Sequence, residues 1–298
     1  MTEAWYLVAG SDSLQVHQVT DSFYGTTLEG IGMPPVQHVT QRAPRQDGST
    51  RVATVLNDRT IDVGYIAIAA SRQAFWENRF NVAEYLKQFD SLVLRIVLDS
   101  GESYDIDVAF LAETFQPVGT TKYFHALRLQ AFDPLFRATG ISTLTVGVAV
   151  TAGGDFTFPL TFPIVFGGGT SVNQSIPLTY DGSWAAYPQI DIRGPISNPS
   201  IVNETTDEEL AMTVTVDDGD VVRIDLNPRG KSVWHITDDE NWMNYLDSDS
   251  DLATWHLEPA PVAPNGINDL TFSGTNGGSN TAITLRWYDQ FVAIGRRA

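Results

Sequence analysis

"LVLRIVLDSGESYDIDVAF", running from Leu92 to Phe110, holds two apolar segments and the turn between them. Tyr104, Ile106, Val108 and Phe110 alternate with Asp105, Asp107 and Ala109, the period-two signature of a strand with one buried face. Asp99-Ser100-Gly101 supplies turn chemistry, so the stretch predicts an antiparallel hairpin. The alternation recurs at Ile61, Val63 and Tyr65. A second hairpin is predicted where "VQHVTQR", starting at Val36, meets "STRVATVL", starting at Ser49, across the polar turn Ala43 to Gly48. One helix interrupts this pattern: Ser71 to Phe89 sets Phe75, Val82, Leu86 and Phe89 near one face, with Glu77, Glu84 and Lys87 elsewhere. The N-terminal half therefore reads as a β-sandwich with one packed helix.

The C-terminal half is strands and turns. "LAMTVTV", "VVRIDL", "SVWHIT", "NDLTFSG" and "TAITLRWYDQF" are separated by Asp217-Asp218-Gly219-Asp220, Asn227-Pro228-Arg229-Gly230 and Thr275-Asn276-Gly277-Gly278. Short strands at this spacing predict a sandwich or jelly roll, so the expected class is all-β in the main. No internal repeat relates the halves.

Between them lies "GGDFTFPLTFPIVFGGG", Gly153 to Gly169. Pro159 and Pro163 block ladder hydrogen bonds while the flanking glycines permit sharp turns. We expect an extended connector whose Phe156, Phe158, Phe162 and Phe166 grip a domain surface; the alternative is an edge strand of one continuous sheet. The expected division is a first domain over 1–150, a connector over 151–175 and a second domain over 176–298.

A chain of 298 residues with 43% hydrophobic residues can build a core in each half. It has no cysteine, which excludes disulfides, thiolate metal clusters and thiol nucleophiles. The formal net charge of −18 argues against wrapping nucleic acid, whose phosphates demand basic residues. Charge is uneven, −5 up to residue 140 and −13 beyond it. The N-terminus carries an acid where a secretion signal is basic, so no targeting segment is expected. The longest apolar run, Phe156 to Phe166, falls short of the roughly 18 residues of a membrane span.

In "DSDSDLATWHLE", Asp247, Asp249, Asp251 and Glu258 match positions 1, 3, 5 and 12 of an EF-hand loop. Leu252 occupies the sixth position, where that loop requires glycine, and no amphipathic helices flank it. A looser calcium site on these carboxylates and a solvated acidic loop stay open as readings. Asp217, Asp218 and Asp220 read as turn residues. His17, His38, His125, His235 and His256 show no metal-ligand spacing, and His125, alternating with Leu127 and Leu129, reads as a satisfied core or interface histidine. Trp184, Trp234, Trp242, Trp255 and Trp287 all fall in the C-terminal half, where exposed indoles can stack on sugars. No catalytic, cofactor-binding or metal-ligating residue is assigned, and no enzymatic activity is expected.

The order of segments carries more than any single site. "GIGMPPV" at Gly30 to Val36, "RQDGS" at Arg45 to Ser49, the helix with Arg79 and "FHALRLQAFDPLF" at Phe124 to Phe136 follow one another. Then come the Phe/Pro connector, "IDIRGPISNPSIVNETTDEEL" at Ile190 to Leu210, the Gly219-Asp220 turn and the closing strand "ITLRWYDQFVAI". In this order the chain resembles the distal tail proteins of siphophages over nearly its whole length. The acidic loop Asp238 to Asp251 departs from that family's compact strand series.

The resemblance implies a structural virion protein: a homo-hexamer whose N-terminal sandwiches form a ring and whose galectin-like C-terminal sandwiches project outward. It implies contact with the tail tube protein, with the tail tip or baseplate hub protein and with receptor-binding proteins. It places the protein at the distal end of the tail, made in the host cytoplasm, with DNA passing through the ring without specific binding, no membrane and no cofactor. Acidic residues on a channel wall would repel DNA phosphates. The alternative is a glycan-binding module that recognises the host surface through the C-terminal domain.

Overall fold

The computed structural model describes residues 3–17, 23–87, 92–148 and 171–295. The connector Gly153 to Gly169 and Phe89 lie outside the described residues. The fold is β in the main, with several sheets and one α-helix among the described residues. It divides into two compact units, Met1–Thr139 with Phe291–Ala298, and Gly140–Gln290.

In the first unit the Leu92–Val97 and Ser103–Val118 strands form the expected hairpin, from Leu92 opposite Val108 to Val97 opposite Ser103. Gly101 closes its turn at φ +92°, a backbone region that glycine enters without steric cost. Ser103–Val118 is 16 residues long and serves two neighbours. Its first half pairs with Leu92–Val97 and its second with Lys122–Ala131, across an irregularity at Phe110/Ala112 that lets the strand bend. The strands run in the order Asp12–His17, Ala4–Ala9, Leu92–Val97, Ser103–Val118, Lys122–Ala131, Arg59–Ile68, Phe23–Glu29. Alternate residues converge on one core, with Leu7, Ile61, Tyr65, Leu94, Ile106 and Leu129 wholly buried.

The helix Arg72–Leu86 closes that core. Ser71 caps it, its side chain accepting a bond from the Ala74 N–H at 3.1 Å, which satisfies an otherwise orphan donor. Phe75, Val82 and Leu86 face inward. Phe75 contacts Phe115 and Tyr123 edge to face, with centroids 6.0 and 5.1 Å away.

The second unit is a two-sheet sandwich. One sheet runs Ser142–Gly147, Ala282–Trp287, Gln189–Arg193, Val221–Asp225, Ser232–His235, Glu240–Asn241. The other runs Val172–Thr179, Ile267–Thr275, Ile196–Asn203, Glu208–Ala211, with Thr215–Val216 also paired to Ile196–Asn203. Ile190, Ile192, Ile224 and Leu285 from the first share a core with Ile176, Leu178, Ile201 and Phe272 from the second. Gly194 is required by close packing: a Cβ there would lie 2.1 Å from the Asp217 carbonyl oxygen. Among the described residues no helix is long and apolar enough to cross a membrane.

Candidate assembly surfaces and buried polar clusters

The hairpin Val36–Gln41/Thr50–Leu56 forms as expected, but as a sheet of two strands that, among the described residues, pair only with each other. Apart from Leu56, every residue of both strands is exposed. Val36, Val39, Val52 and Val55 are between 42% and 60% exposed, an unusual density of uncovered β-branched side chains. The helix has a second face as well. Trp76 and Phe80 are 51% and 63% exposed, beside an open groove of about 710 Å³ lined by Gln73, Glu77, Asn81 and Ala83 among others. Sequence periodicity finds the inward face at Phe75, Val82 and Leu86 and misses the outward one. Two aromatics four residues apart and off the buried stripe are the signal that locates it.

Behind the helix a polar chain crosses the core. Tyr65 and His125 are wholly buried, and the Tyr65 hydroxyl lies 2.6 Å from His125 Nδ1. His125 Nε2 lies 2.9 Å from Glu113, and Glu113 pairs with Arg79 of the helix. Burial lowers the pKa of His125 below its ordinary value, against the pull of Glu113. The neutral ring then fits its partners one way: Nδ1 accepts from Tyr65 and Nε2–H donates to the carboxylate. Burial also drives the Tyr65 hydroxyl well above its usual pKa and pushes Tyr123 up to about 12. With no exposed surface, Tyr65 and His125 offer nothing to a substrate. They tie helix to sheet.

Arg59 is a buried clamp that the sequence reading did not single out. Its Nη1 donates to the Gly30 and Gly32 carbonyls at 3.1 and 2.9 Å, and its Nη2 to the Val292 carbonyl at 2.7 Å. Its guanidinium sits 4.7 Å from the Phe136 ring centroid. Burial lowers its pKa to about 10. Gly30, in "GIGMPPV", has φ +85°, and a Cβ there would meet the Thr60 carbonyl oxygen at 2.1 Å. Part of that motif is thus explained by how the loop lies against its neighbours.

In the second unit the acidic loop is knitted to the Glu208–Ala211 strand. Asp251 accepts from the Glu209 N–H at 2.9 Å, Asp247 from the Thr213 hydroxyl at 2.5 Å, and Asp249 from the Ser248 hydroxyl at 3.2 Å. Glu258 faces His256 Nε2 at 2.6 Å instead. Among the described residues no group of three or more His, Asp or Glu is placed to hold a metal ion. Asp191 lies between Arg223 and Arg286. Burial raises its pKa, but the bonds from both arginines outweigh this and hold the carboxyl below its ordinary value. Of the five tryptophans in this unit, Trp255 and Trp287 are core, Trp234 and Trp242 are partly covered, and Trp184 is 40% exposed. Trp242 stacks on the buried His235 with centroids 4.1 Å apart.

No protein-family model matches the sequence. No curated protein matches it either. Among solved structures, the fold is similar to that of the SPP1 Dit protein, described as a paradigm of the hub adsorption apparatus in Gram-positive-infecting phages. The two are 13% identical with a TM-score of 0.62, over 96% of this chain and 99% of that one. It is also similar to a chain of the phage P2 baseplate in its activated conformation with Ca, at 8% identity and a TM-score of 0.50, over 99% and 100% of the two chains. A chain of that baseplate with Sr gives 9% identity and a TM-score of 0.50, over 100% and 99%. At such identities the likeness is one of fold, and it extends across both units.

Proposed function

We propose that this protein is a structural hub of a phage tail: a homo-hexamer whose first units form a ring at the distal end, leaving a channel for DNA. The tail tube protein sits on one side of the ring and the tail tip or baseplate hub protein on the other. The second unit is a galectin-like attachment that carries peripheral components such as receptor-binding proteins. The role is architectural, without catalysis, and is exercised in the virion.

The observation that carries this reading is the end-to-end fold likeness to the SPP1 Dit protein, covering 96% of this chain and 99% of that one. Local sandwich likenesses are common among unrelated proteins, whereas two differently built units matched together in one chain are not. The exposed Val36–Gln41/Thr50–Leu56 hairpin and the exposed helix face add support, because a closed ring needs two different surfaces on each subunit. Negative-stain images of the purified full-length protein test the proposal: rings with six-fold symmetry are expected. Monomers that bind cell-wall glycans would contradict it and favour the glycan-binding alternative.

A further inference from the structure

The six-stranded sheet of the second unit gives one face to the core and keeps the other outside it. Strand pairing sets one residue from each strand into a single row across that outer face. Thr145 stands opposite Thr284, Thr284 opposite Asp191, Asp191 opposite Arg223, Arg223 opposite Trp234 and Trp234 opposite Asn241. Opposed residues of a pleated sheet share a face, so these side chains leave it together. Their chain neighbours Ile192, Val222, Val233 and Ile283 are the buried ones. The row is held rigid from within. Asp191 accepts from Arg223 Nε and Nη2 at 2.7 and 2.9 Å and from Arg286 as well, and the Thr145 and Thr284 hydroxyls lie 3.0 Å apart. The arginine side chains are still 35% and 33% exposed. Cations gather here against the trend of the unit. Between Gly140 and Gln290 five residues are Lys or Arg, and Arg193, Arg223 and Arg286, all on this face, are three of them.

We infer that this face binds an anionic saccharide, with the sugar ring against Trp234 and its carboxylate or phosphate group at Arg223 and Arg286. One carboxylate shared by two guanidinium groups leaves a positive centre, and guanidinium forks match planar carboxylate and phosphate oxygens. The hydroxyls of Thr145 and Thr284 and the amide of Asn241 suit a ligand covered in hydroxyls, while an indole suits the apolar face of a sugar ring. Groups fixed before the ligand arrives lose little freedom on binding. A protein partner would bring an apolar contact core, yet Trp234 is the one large apolar side chain of the row. A nucleic acid, with a charge at every phosphate, is opposed by the −13 carried beyond residue 140. The inference does not depend on the hub reading, since a ring can carry this face as well as a monomer can.

The test applies the full-length protein to an array of oligosaccharides bearing uronate or phosphodiester groups, each printed beside its neutral counterpart. Retention on charged members above their counterparts is expected. Trp234→Ala and Thr145→Glu should each weaken it by about tenfold or more, through loss of the indole and through repulsion of the anion. Thr145 is exposed, so Thr145→Glu should keep the parent's melting curve and decides the matter if Trp234→Ala fails to fold. Arg229→Gln removes a positive charge from the Asn227–Gly230 turn, outside the row, and should leave retention unchanged. Retention on no member, equal retention on neutral counterparts, or an equal loss in Arg229→Gln would overturn the site. Six-fold rings that retain nothing would overturn this inference alone, and monomers that retain the charged members would overturn the hub alone.

Discussion

His125 sets a pH response in the first unit. Its folded-state pKa is lowered by burial, so below the ordinary value of 6.5 the unfolded chain binds more protons than the folded one. Stability is therefore lost as pH falls from 7 towards 5. Thermal melts across that range should show the first unit weakening on acidification, and His125→Gln should flatten the slope. An unchanged slope would mean that the ring is not held neutral. Asp191 acts lower on the scale: its depressed carboxyl contributes fully at neutral pH, and that contribution fades below about pH 4. Arg59→Met should cost the first unit about 1–3 kcal/mol in denaturant unfolding, because the Gly30, Gly32 and Val292 carbonyls lose their charged donor. The alternation around His125 is visible in the sequence. Its partners are not, since Tyr65 is 60 residues away and meets it only through strand pairing. Arg59 was equally hidden, because a buried arginine looks like any other until topology brings carbonyls around it.

At the scale of elements, the helix carries a buried face and an exposed one. Phe75→Ala should cost about 3–5 kcal/mol by opening a cavity among Phe115, Tyr123 and the sheet, and Ser71→Ala about 1 kcal/mol through loss of the cap. Trp76→Ala and Phe80→Ala, half exposed or more, should leave unfolding within about 0.5 kcal/mol of the parent. Paired denaturation curves check this directly. Equal losses at Phe75 and Trp76 would show that the outward face is part of the core after all. Elements with a strong period are readable in advance, as in the Leu92 to Phe110 hairpin, the Val36 to Leu56 hairpin and the helix. The strands Val172–Thr179 and Ser142–Gly147 were not assigned, and each acquires its role only by pairing with a distant partner, Ile267–Thr275 and Ala282–Trp287 respectively. The spacing of Asp247, Asp249 and Asp251 is legible in the sequence, but their partners, the Glu209 N–H and the Thr213 and Ser248 hydroxyls, are fixed only by the fold.

At the scale of the molecule, the first unit is completed by the end of the chain. Phe291 onward belongs to it, with the Val292 carbonyl held by Arg59 and the Gly295 carbonyl by the Tyr104 hydroxyl at 3.2 Å. Deleting the residues from Phe291 on should lower the transition of the first unit in calorimetry while leaving that of the second in place. A loss confined to the second unit would contradict this. Such a return is invisible to composition and periodicity, which read a chain as successive blocks. Under the proposed function identical subunits close around the tail axis, and a reconstruction of the virion tail tip tests that directly. Six copies of this chain should surround the channel, first units inward. A single copy on the axis, or copies confined to a peripheral fibre, would contradict it.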